Sequence, residues 1–139
     1  MEKRVTGIGG IFFKAKSDNK KLQEWYSKHL GLKNDPVNGI LFQWSSPNDP
    51  TKKGETVFSI FDKETTYINP GKNEFMINFR VKDLEKLLIV LKEEGVELAG
   101  EMEVYDYGKF AWIMDPDGNK IELWEAPESS GFSGAMDME

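Results

Sequence analysis

Apolar and polar positions change period twice along the chain. Gly10 to Ala15 alternates and then gives way to Leu22, Trp25, Tyr26 and Leu30 at helical spacing, with Gly31 as a stop. Phe75 to Val81 repeats the arrangement, followed by Leu84, Leu87, Leu88 and Leu91 before Gly95. Ser17 or Asp18, and then Asp83, stand where helix N-caps belong, so helices are predicted over about 18–31 and 83–95. Segments rich in β-branched and aromatic residues come after each helix: Ile40 to Trp44 and Thr56 to Phe61, then Glu103 to Tyr105, Phe110 to Met114 and Lys120 to Trp124. Each half therefore reads as a strand, a helix and two or three antiparallel strands. The halves superpose by this order, with Gly10 against Met76 and Ser59 against Glu122, as a repeat of pattern and not of letters. Pro47 and Pro50 mark a loop. Asp62 to Lys72, containing Tyr67-Ile68-Asn69-Pro70-Gly71, reads as a connector with room for one short strand.

Asp115-Pro116-Asp117-Gly118-Asn119 is the best-defined turn, since Pro presets φ and Gly takes the left-handed position. Pairing Asp115 with Asn119 sets Trp112 opposite Glu122 and Phe110 opposite Trp124. Period-two reading then sorts the strands into faces. Ile11, Phe13, Ala15, Phe58, Ile60, Phe75, Ile77, Phe79, Val81, Ile121 and Leu123 form an apolar set expected to pack under the helices. The opposite set mixes Gly10, Phe12, Lys14, Val57, Ser59, Phe61, Met76, Asn78, Arg80, Phe110, Trp112, Glu122 and Trp124. Large aromatics among few polar groups fit a concave small-molecule site, and they fit a second core or a dimer face equally well.

At 139 residues the chain has the size of one domain, expected over residues 5–126 with modules at about 5–62 and 74–126. A net charge of -6 gives no basic field for a phosphate backbone or an anionic membrane, so neither nucleic acid nor membrane is an expected partner. The absence of cysteine excludes thiolate metal sites and thiol nucleophiles. His29 is the only histidine, which rules out two-histidine metal sites and leaves no second one for a His-based relay; in the last turn of the first helix it complements the dipole. The N-terminal segment is broken by Gly7, Gly9 and Gly10 and lacks the apolar core of a signal peptide, and no apolar run is long enough to span a bilayer, so a cytoplasmic protein is expected. Residues from about 127 to 139 lack periodicity and read as a mobile tail.

Gly7-Ile8-Gly9-Gly10-Ile11-Phe12-Phe13 leading to Trp25-Tyr26 and Leu30-Gly31-Leu32, then Asn78-Phe79-Arg80-Val81-Lys82-Asp83-Leu84, Gly95-Val96, and Asp115 to Trp124 with its Ile-Glu-Leu, occur in order. Over roughly residues 5 to 126 this resembles the glyoxalase/bleomycin resistance/dioxygenase superfamily, the vicinal oxygen chelate proteins. The resemblance implies an α+β fold in which two βαβββ modules form a curved mixed sheet around a cleft, with the helices outside. Metal enzymes of that family bind a divalent ion with His or Gln and Glu from each module. The matching positions here are Gly10, Ser59, Met76 and Glu122, of which only Glu122 is a ligand of the required kind. Catalytic Zn or Fe sites use about three protein ligands, so no metal cofactor is expected; a divalent ion held through Glu122 is the alternative.

Glu122 is the one candidate acid or base, its competing role being a structural carboxylate bonded to Lys14, Arg80 or a backbone amide. The expected ligand-binding residues are Phe12, Lys14, Trp44, Ser59, Met76, Asn78, Arg80, Phe110, Trp112 and Trp124. The leading functional reading is a metal-independent, homodimeric protein that binds a small aromatic or cationic molecule between tryptophans. A lyase or dioxygenase with an atypical metal site, into which Glu55 or Glu74 swings, and a non-catalytic dimeric module are the alternatives.

Overall fold

The computed structural model describes residues 4–33 and 39–127, so the tail expected beyond residue 127 lies outside the described residues. The elements are β1 (Val5–Lys14), α1 (Asn19–Leu30), β2 (Ile40–Ser46), β3 (Asp49–Phe61), β4 (Phe75–Val81), α2 (Leu84–Glu93), β5 (Glu97–Leu98), β6 (Glu103–Tyr105), β7 (Gly108–Met114) and β8 (Lys120–Glu125). They build one eight-stranded mixed sheet in the order β2-β3-β1-β4-β8-β7-β5, with β6 also on β7. This is the α+β arrangement of the two-module expectation.

Local chemistry sets the element ends. The Asp18 carboxylate accepts from the Lys20 and Lys21 amides at 2.9 and 3.3 Å, and Gly31 closes α1 at φ 73°. Asp83 caps α2 through the Lys86 amide at 3.2 Å. In the predicted turn, Asp115 N–H donates to Asn119 O at 3.0 Å and Gly118 sits at φ 85°. The hairpin register follows as expected, with Phe110 facing Trp124 and Trp112 facing Glu122. The loop expected at Pro47 and Pro50 tightens into a hairpin, and β3 begins at Asp49. The connector after β3 forms turns and no strand among the described residues.

The modules meet where β1 runs antiparallel to β4, and the register carries a pseudo-two-fold: Gly10 pairs with Asn78, and its equivalent Met76 pairs with Phe12. Within each module the first strand lies parallel to the last, Phe12 against Ser59 and Asn78 against Glu122. The helix coverage is unequal. Under α2, Val81, Leu84, Leu91, Ala111 and Leu123 form a buried cluster. Helix α1 has no buried residue and rests on the sheet through Tyr26 against Phe13 and Phe58, leaving Ile8 and Ile11 exposed. The expected helix face is thus better covered in the second module, where only the start of β4 at Phe75 is exposed, than in the first.

Candidate functional site

On the face opposite α2, the aromatic and sulfur side chains form a core and not an open wall. Ile68, Met76, Phe110, Trp112 and Trp124 are packed together, with Met76 0% and Trp124 1% exposed. The expectation that Trp112 and Trp124 offer stacking surfaces to a ligand is therefore corrected. The Trp124 ring stacks on Phe110 at 6.1 Å and its indole N–H donates to the Tyr107 carbonyl at 2.9 Å. Trp112 donates to Glu122 at 2.9 Å. The physical reason is the connector, which folds over this face and inserts Ile68, 3% exposed, among the rings. Its far end is fixed to the β7–β8 turn by the Lys72 amide on Gly118 O at 3.0 Å and by Asn73 on the Asn119 side chain.

Glu122, 3% exposed, lies at the centre. Asn78 Nδ2 donates to its Oε1 at 2.7 Å, while the Tyr67 hydroxyl and Trp112 Nε1 both donate to its Oε2. Among the described residues, these three are the side-chain donors to Glu122. Burial, then the negative charge of Glu122, pushes the Tyr67 hydroxyl far above the usual phenol range, so it stays a donor. Lys120 Nζ donates to the Tyr67 carbonyl at 2.7 Å and lies 5.0 Å from the Tyr67 ring and 5.5 Å from that of Trp112. Burial lowers its pKa, against the opposing pull of the Glu122 and Glu103 charges.

Arg80, 5% exposed, occupies a different place. Its guanidinium carbon lies 5.7 Å from the Trp44 ring and 5.5 Å from that of Trp124, one indole from each module. Glycines make the room: a Cβ on Gly9 would come within 2.3 Å of Asn78 Oδ1 and 3.0 Å of Trp124. Lys14 and Ser59 are half-buried on β1 and β3. Glu55 is buried and accepts from Gln43 at 3.1 Å, Glu74 is within 3.8 Å of Lys16, and neither approaches Glu122 as a hydrogen-bond partner. His29 is exposed at the end of α1, 5.1 Å from the Trp25 ring.

Beside the core remains a cavity of about 290 Å³ lined by Phe12 and Phe61 from the first module, Tyr67 from the connector, Glu103, Tyr105, Tyr107 and Phe110 from the second, and Glu122. Phe12 stacks on Phe61 at 5.1 Å, and Tyr105 on Tyr107 at 5.2 Å. Of the residues singled out in the sequence, Phe12, Phe110 and Glu122 line this cavity, whereas Lys14, Trp44, Ser59, Met76, Asn78, Arg80, Trp112 and Trp124 are not among its lining.

Residues 15–123 match the family description Glyoxalase/Bleomycin resistance protein/Dioxygenase superfamily. The chain belongs to this superfamily. Its fold is similar to methylmalonyl-CoA epimerase from Mycobacterium tuberculosis, with a TM-score of 0.58 at 21% identity over 96% of each chain. It is similar also to a 2,3-dioxygenase from Pseudomonas sp. KL28, TM-score 0.57 at 22% identity over 88% of this chain and 41% of that one. The Mn(II)-bound glyoxalase from Novosphingobium aromaticivorans gives 0.54 at 20% identity over 88% and 39%. No curated protein matches the sequence.

The superfamily's divalent ion finds a poor donor set here. Gly10 has no side chain, Met76 is sealed in the core, and both oxygens of Glu122 already accept hydrogen bonds. Among the described residues no three His, Cys, Asp or Glu side chains converge. These residues do not fit the ion.

Sequence reasoning missed Tyr67, Ile68, Glu103, Tyr105 and Tyr107. The signal for the first two was an aromatic and an aliphatic residue inside an otherwise polar, turn-forming connector; for the others, Glu-Val-Tyr-Asp-Tyr just before a strand.

Proposed function

We propose that this superfamily member is a metal-independent binding protein for a small aromatic or cationic compound, taken up in the ring-walled cavity beside Glu122. The observation that carries the reading is the composition of that wall: six aromatic side chains and two carboxylates around about 290 Å³. This is near the lower end of small-ligand sites, which span roughly 300–1,000 Å³ and are mostly apolar with a few polar groups. The three donors that hold Glu122, two of them on one oxygen, support a fixed, ionised carboxylate beside the cavity and so binding over proton transfer.

A thermal-shift screen of small aromatic and cationic compounds tests it, since a ligand that binds only the folded chain raises the midpoint by mass action. The reading expects hits whose effect is lost in Phe61→Ala or Tyr107→Ala. It falls if no compound of either kind shifts the midpoint. For self-association, the support is the exposure of Ile8, Ile11 and Trp25 in the first module and of Phe75 at the start of β4, and light scattering reads it directly.

A further inference from the structure

We infer that the cavity takes a primary arylalkylammonium, its aromatic ring against Phe61 and Tyr107 and its ammonium donating to Glu103 beside the charge of Glu122. The inference rests on the binding reading above and adds the ligand's chemistry.

Two carboxylates on one cavity supply the charge. Glu122 is 3% exposed and lines the cavity, yet its donors, Tyr67, Asn78 and Trp112, are all neutral. Among the described residues no lysine or arginine forms an ion pair with it. Lys120, on the same strand, turns its ammonium to the Tyr67 carbonyl and to the rings of Tyr67 and Trp112, and it does not line the cavity. Glu103 adds a second negative charge to the lining. Like charges beside one partly dry space repel, and a cation placed there relieves both. A shallower depression, which shares Phe61 and Tyr67 with the cavity, adds the carboxylates of Asp62 and Glu64. Among the described residues no lysine or arginine lines either one; Lys63, between Asp62 and Glu64 in the chain, is outside the lining. The other segments, 1–3, 34–38 and 128–139, contain one lysine, Lys3, and no arginine.

Acceptor positions decide which cation. The Tyr105 hydroxyl donates to Glu103 Oε1, and among the described residues nothing donates to Oε2 of this exposed side chain. Glu122 Oε1 takes a single bond, from Asn78. A carboxylate oxygen has about two acceptor sites, so both oxygens have capacity for an N–H donor. A primary ammonium donates to Glu103 and keeps its remaining N–H groups in water on the exposed side. A quaternary ammonium has no donor and forgoes the charge-assisted bond.

The rings decide what the ammonium carries. Phe12 stacks on Phe61 from the first module and Tyr105 on Tyr107 from the second, so an aryl group meets aromatic faces and edges contributed by both halves of the chain.

Isothermal titration calorimetry of the full chain at pH 7, where the amine is charged, with 2-phenylethylamine, its N,N,N-trimethyl derivative and the neutral 2-phenylethanol separates the contributions. The amine is expected to bind about tenfold more tightly than the alcohol and about fivefold more tightly than the trimethyl compound. Glu103→Gln, at an exposed position, keeps an acceptor for Tyr105 and removes the charge; it should weaken the amine about fivefold and leave the alcohol unchanged. Tyr107→Leu should weaken all three. If the alcohol binds as well as the amine, charge is not read; if the trimethyl compound does, N–H donation is not read. Either result overturns this inference while the binding function stands. Affinities unchanged in both variants place the compounds elsewhere on the chain and overturn it too. If none of the three binds but other compounds from the screen do, the ligand class is wrong and the site is right; if nothing binds at all, both fail.

Discussion

The hydroxyl of Tyr67 donates to the carboxylate of Glu122 across 55 residues of chain. This bond joins the connector between the modules to the one acidic residue at a superfamily metal-ligand position. With Ile68 buried alongside, it makes the connector part of the inner core. Tyr67→Phe keeps the ring and removes the donor. A hydrogen bond to a charged group contributes about 1.5–3 kcal/mol when buried, and Tyr67 is partly exposed, so the unfolding free energy from urea denaturation should fall by up to about 1.5 kcal/mol, with a lower midpoint and an unchanged slope. An unaltered midpoint would show that Asn78 and Trp112 alone satisfy Glu122.

Partial burial of the Tyr67 hydroxyl, with the charge of Glu122 beside it, predicts a pH dependence. The folded-state pKa of Tyr67 is raised above its unfolded value near 10, so the folded chain holds this proton more tightly than the unfolded chain. The resulting stability is fully present below pH 10 and is lost as pH rises beyond it. Urea denaturation from pH 9 to 11 should show a steeper alkaline decline for the wild-type chain than for Tyr67→Phe. Parallel curves would mean that Tyr67 ionises as freely folded as unfolded.

In the β7–β8 turn the sign is opposite. The Asn119 side chain, then its backbone amide, hold the Asp115 carboxyl below the usual aspartate range. Its contribution is present above the unfolded value near 4 and is lost as pH falls through the lower folded value. Carboxyl NMR titration should find Asp115 titrating below the exposed aspartates, and Asn119→Ala should return it toward them.

Gly9 tests the packing at the module boundary. A methyl group there would meet Asn78 Oδ1 at 2.3 Å and Trp124 Cε3 at 3.0 Å, both held by neighbours in the core. Gly9→Ala is expected to destabilise by about 1–3 kcal/mol, the usual cost of overpacking. Tryptophan fluorescence should shift with it, since Trp124 must move. Native stability and spectrum would place slack where the structure has none.

The donor set predicts poor metal retention. Chain incubated with excess Zn or Mn and then desalted should keep far less than one equivalent by elemental analysis, because one hydrogen-bonded carboxylate does not replace about three ligands. Retention of a full equivalent that disappears in Glu122→Ala would favour the lyase or dioxygenase alternative.

The sequence alone determined what is local and periodic. Alternation and helical spacing located β4 and both helices, Asp18, Asp83 and Gly31 set their ends, and Asp115 to Asn119 fixed a register that puts Trp112 against Glu122. These features depend on neighbours a few residues away or on a single tight turn, so their causes lie next to one another in the chain. It also separated the two faces of the sheet, because a strand cannot turn one side chain without turning the next. Tertiary structure decided what covers each face. Period two marks Trp112, Trp124 and Met76 as facing away from α2, and it carries no information about whether the space there holds a ligand or another part of the chain. The connector fills it with Ile68, while the partly exposed Tyr67 reaches Glu122 from its rim, and no periodic signal accompanies a turn-rich segment whose one buried aliphatic side chain is covered only by elements far along the sequence. The ring-walled cavity has the same origin: Phe12, Phe61, Tyr67 and Tyr107 come from four separate stretches of chain, and only the pairing of β1 with β4 and the fold of the connector bring them to one place.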